Sequence, residues 1–258
     1  MIYSSIDNER IKNIKKLNTK KYRDQENLFL VEGEHLVIEA ANSKRLKTLI
    51  VEENSSFNIE GVEKIICTPK VIKYISELDT PPKVLGICIK DTNSVLGNHI
   101  VALDTVQDPG NLGTIIRSSV AFNVDTLLLS SDTVDPYSPK VIRATQGMIF
   151  HINIVICDLK ETLNNLKDYK KYGTKLTNSK SLKDIKINDK YVIVMGNEGK
   201  GVKEEILNLC DEYISIDMNK SCESLNVAVA TSIILYVLDN YLLPLVFYSF
   251  LYKDYYLF

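Results

Sequence analysis

An α/β fold, built on a mostly parallel sheet with helices on both faces and preceded by a smaller α/β unit, is the architecture this 258-residue sequence predicts. Three observations predict it. From His99 onward, apolar strand-like runs alternate with helix-like segments, the pattern of a parallel sheet with crossover helices. Residues 1–90 carry their own short strands and helices, and the polar stretch KDTNSVLGN separates the two sets. Finally, the run YVIVMG opens a loop with three glycines, Gly196, Gly199 and Gly201, at a strand's carboxyl end, where ligands sit in sheets of this kind.

In the first set, LFLVE, KTLIV, KIICT and VLGICI read as strands, and helices are expected from Gly33 and after Pro69. Between Arg10 and Arg23 lie seven basic residues (Arg10, Lys12, Lys15, Lys16, Lys20, Lys21 and Arg23) with no acid among them and Tyr22 interleaved. Such a stretch either binds phosphates or is a solvated helix face. In the second set HIVALD is a buried strand, followed by the turn DPGN and the helical NLGTIIRSSVAF. Asn111 is placed to cap that helix, whose apolar stripe runs through Leu112, Ile115, Ile116 and Val120. The strand VDTLLLS, the helical SPKVIRATQ, the strand INIVIC and the helical DLKETLNNLK come next, then a short strand near Tyr172. YVIVMG and EYISIDM complete the strands. A helix capped by Ser224 and apolar on nearly every side follows, and such a helix should be buried. The expected boundaries are a smaller unit over 1–93, a larger unit over 97–240 and an apolar, aromatic tail over 241–258 to which no role is assigned.

Composition narrows the function classes. With a formal net charge of −2, the molecule is no polycation, so any nucleic-acid contact must rest on a local basic patch. Five cysteines, with no C-x-x-C pair and no signal peptide, read as reduced thiols in a cytoplasmic protein. The three histidines are isolated, so no metal site is expected. No stretch reaches the roughly 20 apolar residues of a membrane span, so no membrane is expected as a partner.

The glycine loop fits neither common phosphate cradle. A P-loop needs G-x-x-x-x-G-K-[ST], whereas Val202 and Lys203 follow Gly201 here. A dinucleotide fingerprint runs G-x-G-x-x-G, and this loop has the reverse order, G-x-x-G-x-G, which disfavours a nucleotide-dependent oxidoreductase. Arg117 lies off the apolar stripe of its helix among Ser118, Ser119 and Ala121, which leave a long guanidinium room to reach; the plainer reading is a surface arginine. Asn226 is a polar group near the start of a buried helix and needs a hydrogen-bonding reason, a local cap being one.

Taken together, DPGNLGTIIRSSVAF, IVMGNEGKGV and ISIDM followed by SLNVAVA resemble the three motifs of the SpoU (TrmH-type) branch of the SPOUT RNA methyltransferases. Asn111 and Arg117 match the polar positions of the first motif, Glu198 that of the second, and Ser224 and Asn226 those of the third. DPYSPKVIRATQGMIF is similar to the family's intermediate segment, with Lys140, Arg143 and Gly147. KKYRDQENLFLVEGEHLVIEA resembles the ribosomal-protein-like substrate-binding domain that often precedes the catalytic one. The resemblance covers residues 8–240.

That resemblance implies a deep trefoil knot, an exception to the rule against knots. It implies S-adenosylmethionine as cofactor, held by Met195, Gly196, Asn197, Gly199, Gly201, Ile216, Met218 and Leu225, with glycine allowing close approach to the ligand. It also implies methyl transfer to a ribose 2′-hydroxyl, in ribosomal RNA rather than tRNA, by a homodimer formed through the C-terminal unit. Arg117 would clamp a phosphate and stabilise the developing alkoxide rather than act as a base, since an arginine side chain rarely gives up its proton. Asn111 and Asn226 would supply neutral hydrogen bonds, Glu198 would orient Arg117 or the loop, and Ser224 completes the catalytic set. Arg10, Lys15, Lys16, Lys20, Lys21, Arg23, Lys140 and Arg143 are the expected RNA-binding residues. The alternatives are a tRNA 2′-O-methyltransferase and a non-catalytic RNA-binding relative.

Overall fold

The computed structural model describes the backbone of residues 2–91 and 95–253, and side chains as far as residue 240. The chain divides into two compact units, Met1–Thr92 with Asp135–His151, and Asn93–Val134 with Ile152–Phe258.

The first unit runs β1 (Ile2–Tyr3), α1 (Glu9–Lys16), α2 (Lys20–Glu26), β2 (Leu28–Glu32), α3 (Glu34–Asn42), β3 (Leu46–Glu52), β4 (Glu63–Cys67), α4 (Pro69–Ile75) and β5 (Val84–Ile89). Its sheet has the order β1-β4-β3-β5-β2, with β5 antiparallel to both β2 and β3. Pro69 occupies the first turn of α4, where a missing N–H costs nothing. Ile11 and Ile14 of α1 join Val71, Ile72 and Ile75 of α4 over Ile50, Ile65 and Leu85 of the sheet. The cations of α1 and α2 fall on the other side of this packing, with one exception described below.

The second unit contains β6 (His99–Leu103), α5 (Pro109–Ala121) and β7 (Thr126–Ser130). The chain then enters the first unit with α6 (Pro139–Thr145) and returns as β8 (Asn153–Cys157). The segment 135–151 is held in the first unit by specific contacts. Phe29 lies 4.9 Å from the Tyr137 ring and 5.9 Å from that of Phe150. His151 Nε2 is 2.6 Å from Glu39 Oε2.

There follow α7 (Leu159–Asn165), β9 (Lys170–Thr174), β10 (Lys180–Ser181), β11 (Tyr191–Met195), α8 (Glu204–Leu207), β12 (Glu212–Ser215) and α9 (Val227–Lys253). The sheet order is β10-β12-β9-β11-β6-β7-β8, and every pairing is parallel. Ile100 and Ala102 of β6 and Val192 and Val194 of β11 pack with Leu159 and Leu163 of α7 and Ile206 of α8. Their neighbours Val101, Leu103 and Ile193 point to the opposite face by the two-residue period of a strand, and they too are fully buried. Both faces are therefore covered, as continuous apolar runs require.

Several local expectations change. The cap of α5 is Asp108, whose Oδ1 accepts the Asn111 N–H at 2.8 Å, and not Asn111. Pro109 fits the first turn, so the helix starts two residues earlier than the apolar pattern indicates. Likewise α9 starts at Val227, and its cap is Asn226 rather than Ser224: Asn226 Oδ1 accepts from the N–H groups of Ala228 (2.9 Å) and Val229 (3.3 Å). Nor is α9 buried all round, because Val229, Ile233 and Tyr236 form an exposed stripe at helical spacing. β12 is shorter than EYISIDM, and the two-residue β10 has no signal in the sequence pattern. The side chains of 241–253, and all of 254–258, lie outside the described residues, and the aromatic tail with them.

Candidate active site

The second unit brings three loops together at the carboxyl ends of its strands. The first follows β6, the second is the glycine loop after β11, and the third joins β12 to α9. Within the glycine loop, Asn197 and Gly201 exchange both backbone hydrogen bonds, at 3.0 and 2.9 Å. A side chain on Gly196 would strike the backbone of Gly201 and Val202, its Cβ falling 2.1 Å from them. Gly201 has φ +69°, a left-handed conformation that favours glycine. The glycines thus let the loop close on itself. At Gly196 the close approach is to the loop's own backbone.

Asn197 fastens this hairpin on both sides. Its Oδ1 accepts from the N–H groups of Gly199 and Lys200, and its Nδ2 donates to the Thr105 carbonyl at 2.9 Å. Glu198 faces the first loop. It accepts from Asn111 Nδ2 at 3.0 Å and, at longer range, from the N–H groups of Gln107 and Asp108. Burial alone would raise the Glu198 pKa, but these donors outweigh it and hold the carboxyl below the usual carboxylate range. Asn226 Nδ2 donates to Asn111 Oδ1 at 2.8 Å. Both ends of each carboxamide are therefore used, and a single line of hydrogen bonds runs Asn226, Asn111, Glu198 across all three loops. Asn226 is thus a local cap through Oδ1, and its Nδ2 also bridges to the first loop.

Met195, Gly196, Asn197, Gly199, Gly201, Ile216, Met218 and Leu225 all line one cavity of about 650 Å³. That volume lies within the roughly 300–1,000 Å³ of small-molecule sites. Glu198 and Ser224 stand on its wall, and Ile214, Val227, Ala230 and Ile234 add apolar surface. Thr174 at the end of β9 and Lys175, Leu176 and Thr177 after it also line the cavity, and sequence reasoning missed them. Nothing in their composition marks them, because they reach the cavity only through the strand order. Arg117 is exposed on α5 and makes no hydrogen bond or ion pair among the described residues. Glu198 is engaged by the first loop and does not hold Arg117.

The sequence profile of the SpoU rRNA methylase family matches residues 98–236. The chain belongs to that family. An MRM3-like substrate-binding domain matches residues 8–86. Over 239 residues the chain is 34% identical to the 23S rRNA (guanosine(2553)-2′-O)-methyltransferase RlmP of Bacillus subtilis, covering 90% of this chain and 96% of that one. An AdoMet-bound rRNA methyltransferase from Sinorhizobium meliloti superposes with a TM-score of 0.83 at 30% identity, over 94% of this chain and 98% of that one.

In this SpoU family member the first unit carries most of the basic residues of interest, and they are unequal. Arg23 is only 3% exposed: Nη1 donates to the Leu17 carbonyl at 2.9 Å, while Nε and Nη2 reach Asp135 Oδ2 at 3.2 and 2.5 Å. It holds the segment 135–151 in place, and its guanidinium is not available to a phosphate. Three more cations of the stretch are ion-paired, Arg10 with Glu63, Lys12 with Asp7 and Lys15 with Glu77. Lys16 and Lys21 lie over the Tyr22 ring at 5.4 and 5.8 Å, and Lys20 is exposed. On α6, Lys140 is exposed and Arg143 is half-buried. The sequence could not expose these differences, because the acids that neutralise the stretch lie outside it. Among the described residues there is no cluster of metal-ligating side chains, and no helix is long and apolar enough to cross a membrane.

Proposed function

We propose that this protein transfers a methyl group from S-adenosylmethionine to a ribose 2′-hydroxyl of 23S ribosomal RNA, on a guanosine as in the Bacillus subtilis relative. The observation that carries the reading is the cavity of about 650 Å³ with the Asn226–Asn111–Glu198 line of hydrogen bonds reaching its wall. The apolar side chains of Ile216, Leu225 and Ile214 on the cavity wall suit a flat base. When bound, the cofactor supplies an electrophilic methyl on a sulfonium. The chain's own residues do the rest. Arg117, uncommitted and always charged, clamps the phosphate beside the target ribose and offsets the negative charge that develops as the hydroxyl proton leaves to solvent. Asn111, fixed by Glu198 and Asn226, keeps the first loop in one geometry, so that little reorganisation is needed during transfer.

Further readings belong to the same proposal. The segment from β11 to α9 forms a trefoil knot, a topology the parallel order β12-β9-β11-β6 accommodates. Two copies associate through the α5 and α9 side of the second unit, where Val229, Ile233 and Tyr236 are exposed. Lys16, Lys20, Lys21, Lys140 and Arg143 of the first unit contact RNA, and the protein works in the cytoplasm on ribosome precursors.

The test is methyl transfer by purified protein to 23S rRNA from cells lacking the gene, with a chelator present and the 2′-O-methyl positions mapped. A single methylated guanosine ribose is expected, matching a mark lost in the deletion strain. Methylation of tRNA alone, or none with any RNA, would overturn the reading.

A further inference from the structure

Lys203 lies two residues beyond Gly201, and none of the roles above uses it. Its backbone N–H donates to Asp104 Oδ2 at 2.8 Å, and its Nζ lies 3.5 Å from Asp104 Oδ1 and 3.3 Å from Asp132 Oδ2. The Asp104 side chain is only 2% exposed and follows directly on β6; its own N–H donates to the Met195 carbonyl at 2.8 Å. Asp132 follows β7, and its carbonyl accepts from Gln107 Nε2 at 2.5 Å. One lysine therefore bridges the loops after β6 and β7 from within the loop after β11. Burial alone would lower the Lys203 pKa, but the pull of Asp104 and the hydrogen bonds to Asp132 and Asp104 outweigh it and raise it, so the ammonium stays charged.

Two of the tied loops carry the site. Asn111 and the donors to Glu198 hang on the loop after β6, and Glu198 with the cavity-lining glycines hangs on the loop after β11. Both are short irregular segments, and loops of this kind hold a geometry only when other contacts determine it. An exposed ion pair alone would do little. A buried carboxylate is different, because it needs its cation and keeps it in place.

We propose that Lys203 is a positioning residue for methyl transfer: by bridging Asp104 and Asp132 it locks the glycine hairpin to the first loop and keeps Glu198 and Asn111 in register with the cavity. The inference rests on the methyltransferase reading. Lys203→Met keeps the aliphatic stem and removes the charge, whereas Lys203→Arg retains the charge. In steady-state assays on 23S rRNA, Lys203→Met lowers kcat about tenfold, since small misplacements of positioned groups are costly. The KM for RNA and its salt dependence stay as in the wild type, and Lys203→Arg recovers most of the loss. Amide exchange in Lys203→Met rises over residues 104–108 and 196–203. If Lys203→Met fails to fold, Asp132→Asn carries the test, removing one of the two partners and giving a smaller loss of kcat. Wild-type kcat in the variant, or a loss confined to the KM for RNA, which would make Lys203 a phosphate contact, overturns the proposal. A wild type that neither binds S-adenosylmethionine nor methylates RNA would overturn the underlying reading instead.

Discussion

Arg117 and Glu198, two charged members of one candidate site, have opposite surroundings. Glu198 is surrounded by donors and has a depressed pKa, while Arg117 is exposed with no partner among the described residues. A group held by several partners serves geometry; one held by none is free to meet a ligand. Arg117→Ala is therefore expected to reduce single-turnover methyl transfer on the order of 10²–10³-fold while S-adenosylmethionine binding measured by calorimetry stays unchanged. Arg117→Lys should recover little, because an ammonium cannot grip a phosphate through a planar fork. A surface arginine would behave otherwise, its loss moving stability by no more than about 0.5 kcal/mol and leaving turnover intact. Near-wild-type turnover in Arg117→Ala would remove it from the catalytic centre.

At the scale of elements, α1 and α2 show how one basic stretch serves two ends. Residues on one side pack into the first unit's core, and Arg23 goes further, burying its charge against Asp135, whose side chain is only 10% exposed. Removing one partner of such a pair leaves an uncompensated buried charge, at a cost of about 3–5 kcal/mol. Arg23→Met should accordingly lower the unfolding free energy of the first unit by that amount, read from the shift of its denaturant midpoint. The double change Lys20→Glu with Lys21→Glu should leave that midpoint within experimental error and flatten the salt dependence of RNA binding. A double variant with an unaltered salt slope would make α2 a solvated face.

For the whole molecule, the exposed stripe of α9 is the feature most in need of cover. Tyr236 meets Phe122 edge-on at 5.8 Å and is still 58% exposed, with Ile233 and Val229 beside it along the helix. Contiguous apolar surface of this kind marks an interaction site, and a second copy presenting the same stripe would be self-complementary about a two-fold axis. Sedimentation at micromolar concentration should show a dimer, and Ile233→Asp, which places a charge in that interface, should give a monomer with reduced methyl transfer. A monomeric wild type with full activity would exclude association as part of the site.

What the sequence determined by itself follows from local physics. Period-2 and period-3.6 patterns, glycine at tight turns and continuous apolar runs placed the longer strands and most helices of both units and the parallel character of the second sheet, but not the two-residue strands β1 and β10. The positions assigned to the cofactor came instead from the resemblance of three separated motifs to a known family, and all eight of them line one cavity. The tertiary structure decided the rest, because it depends on partners distant in sequence. The cap of α5 moved to Asp108, and Asn226 became both cap and bridge, because whether an amide bonds its own turn or another loop is settled by what lies opposite it. Arg23 changed from a phosphate ligand to a buried ion pair because Asp135 is 112 residues away. Asp104 and Lys203 carry no recognisable pattern, and only the strand order that sets β11 beside β6 makes them neighbours.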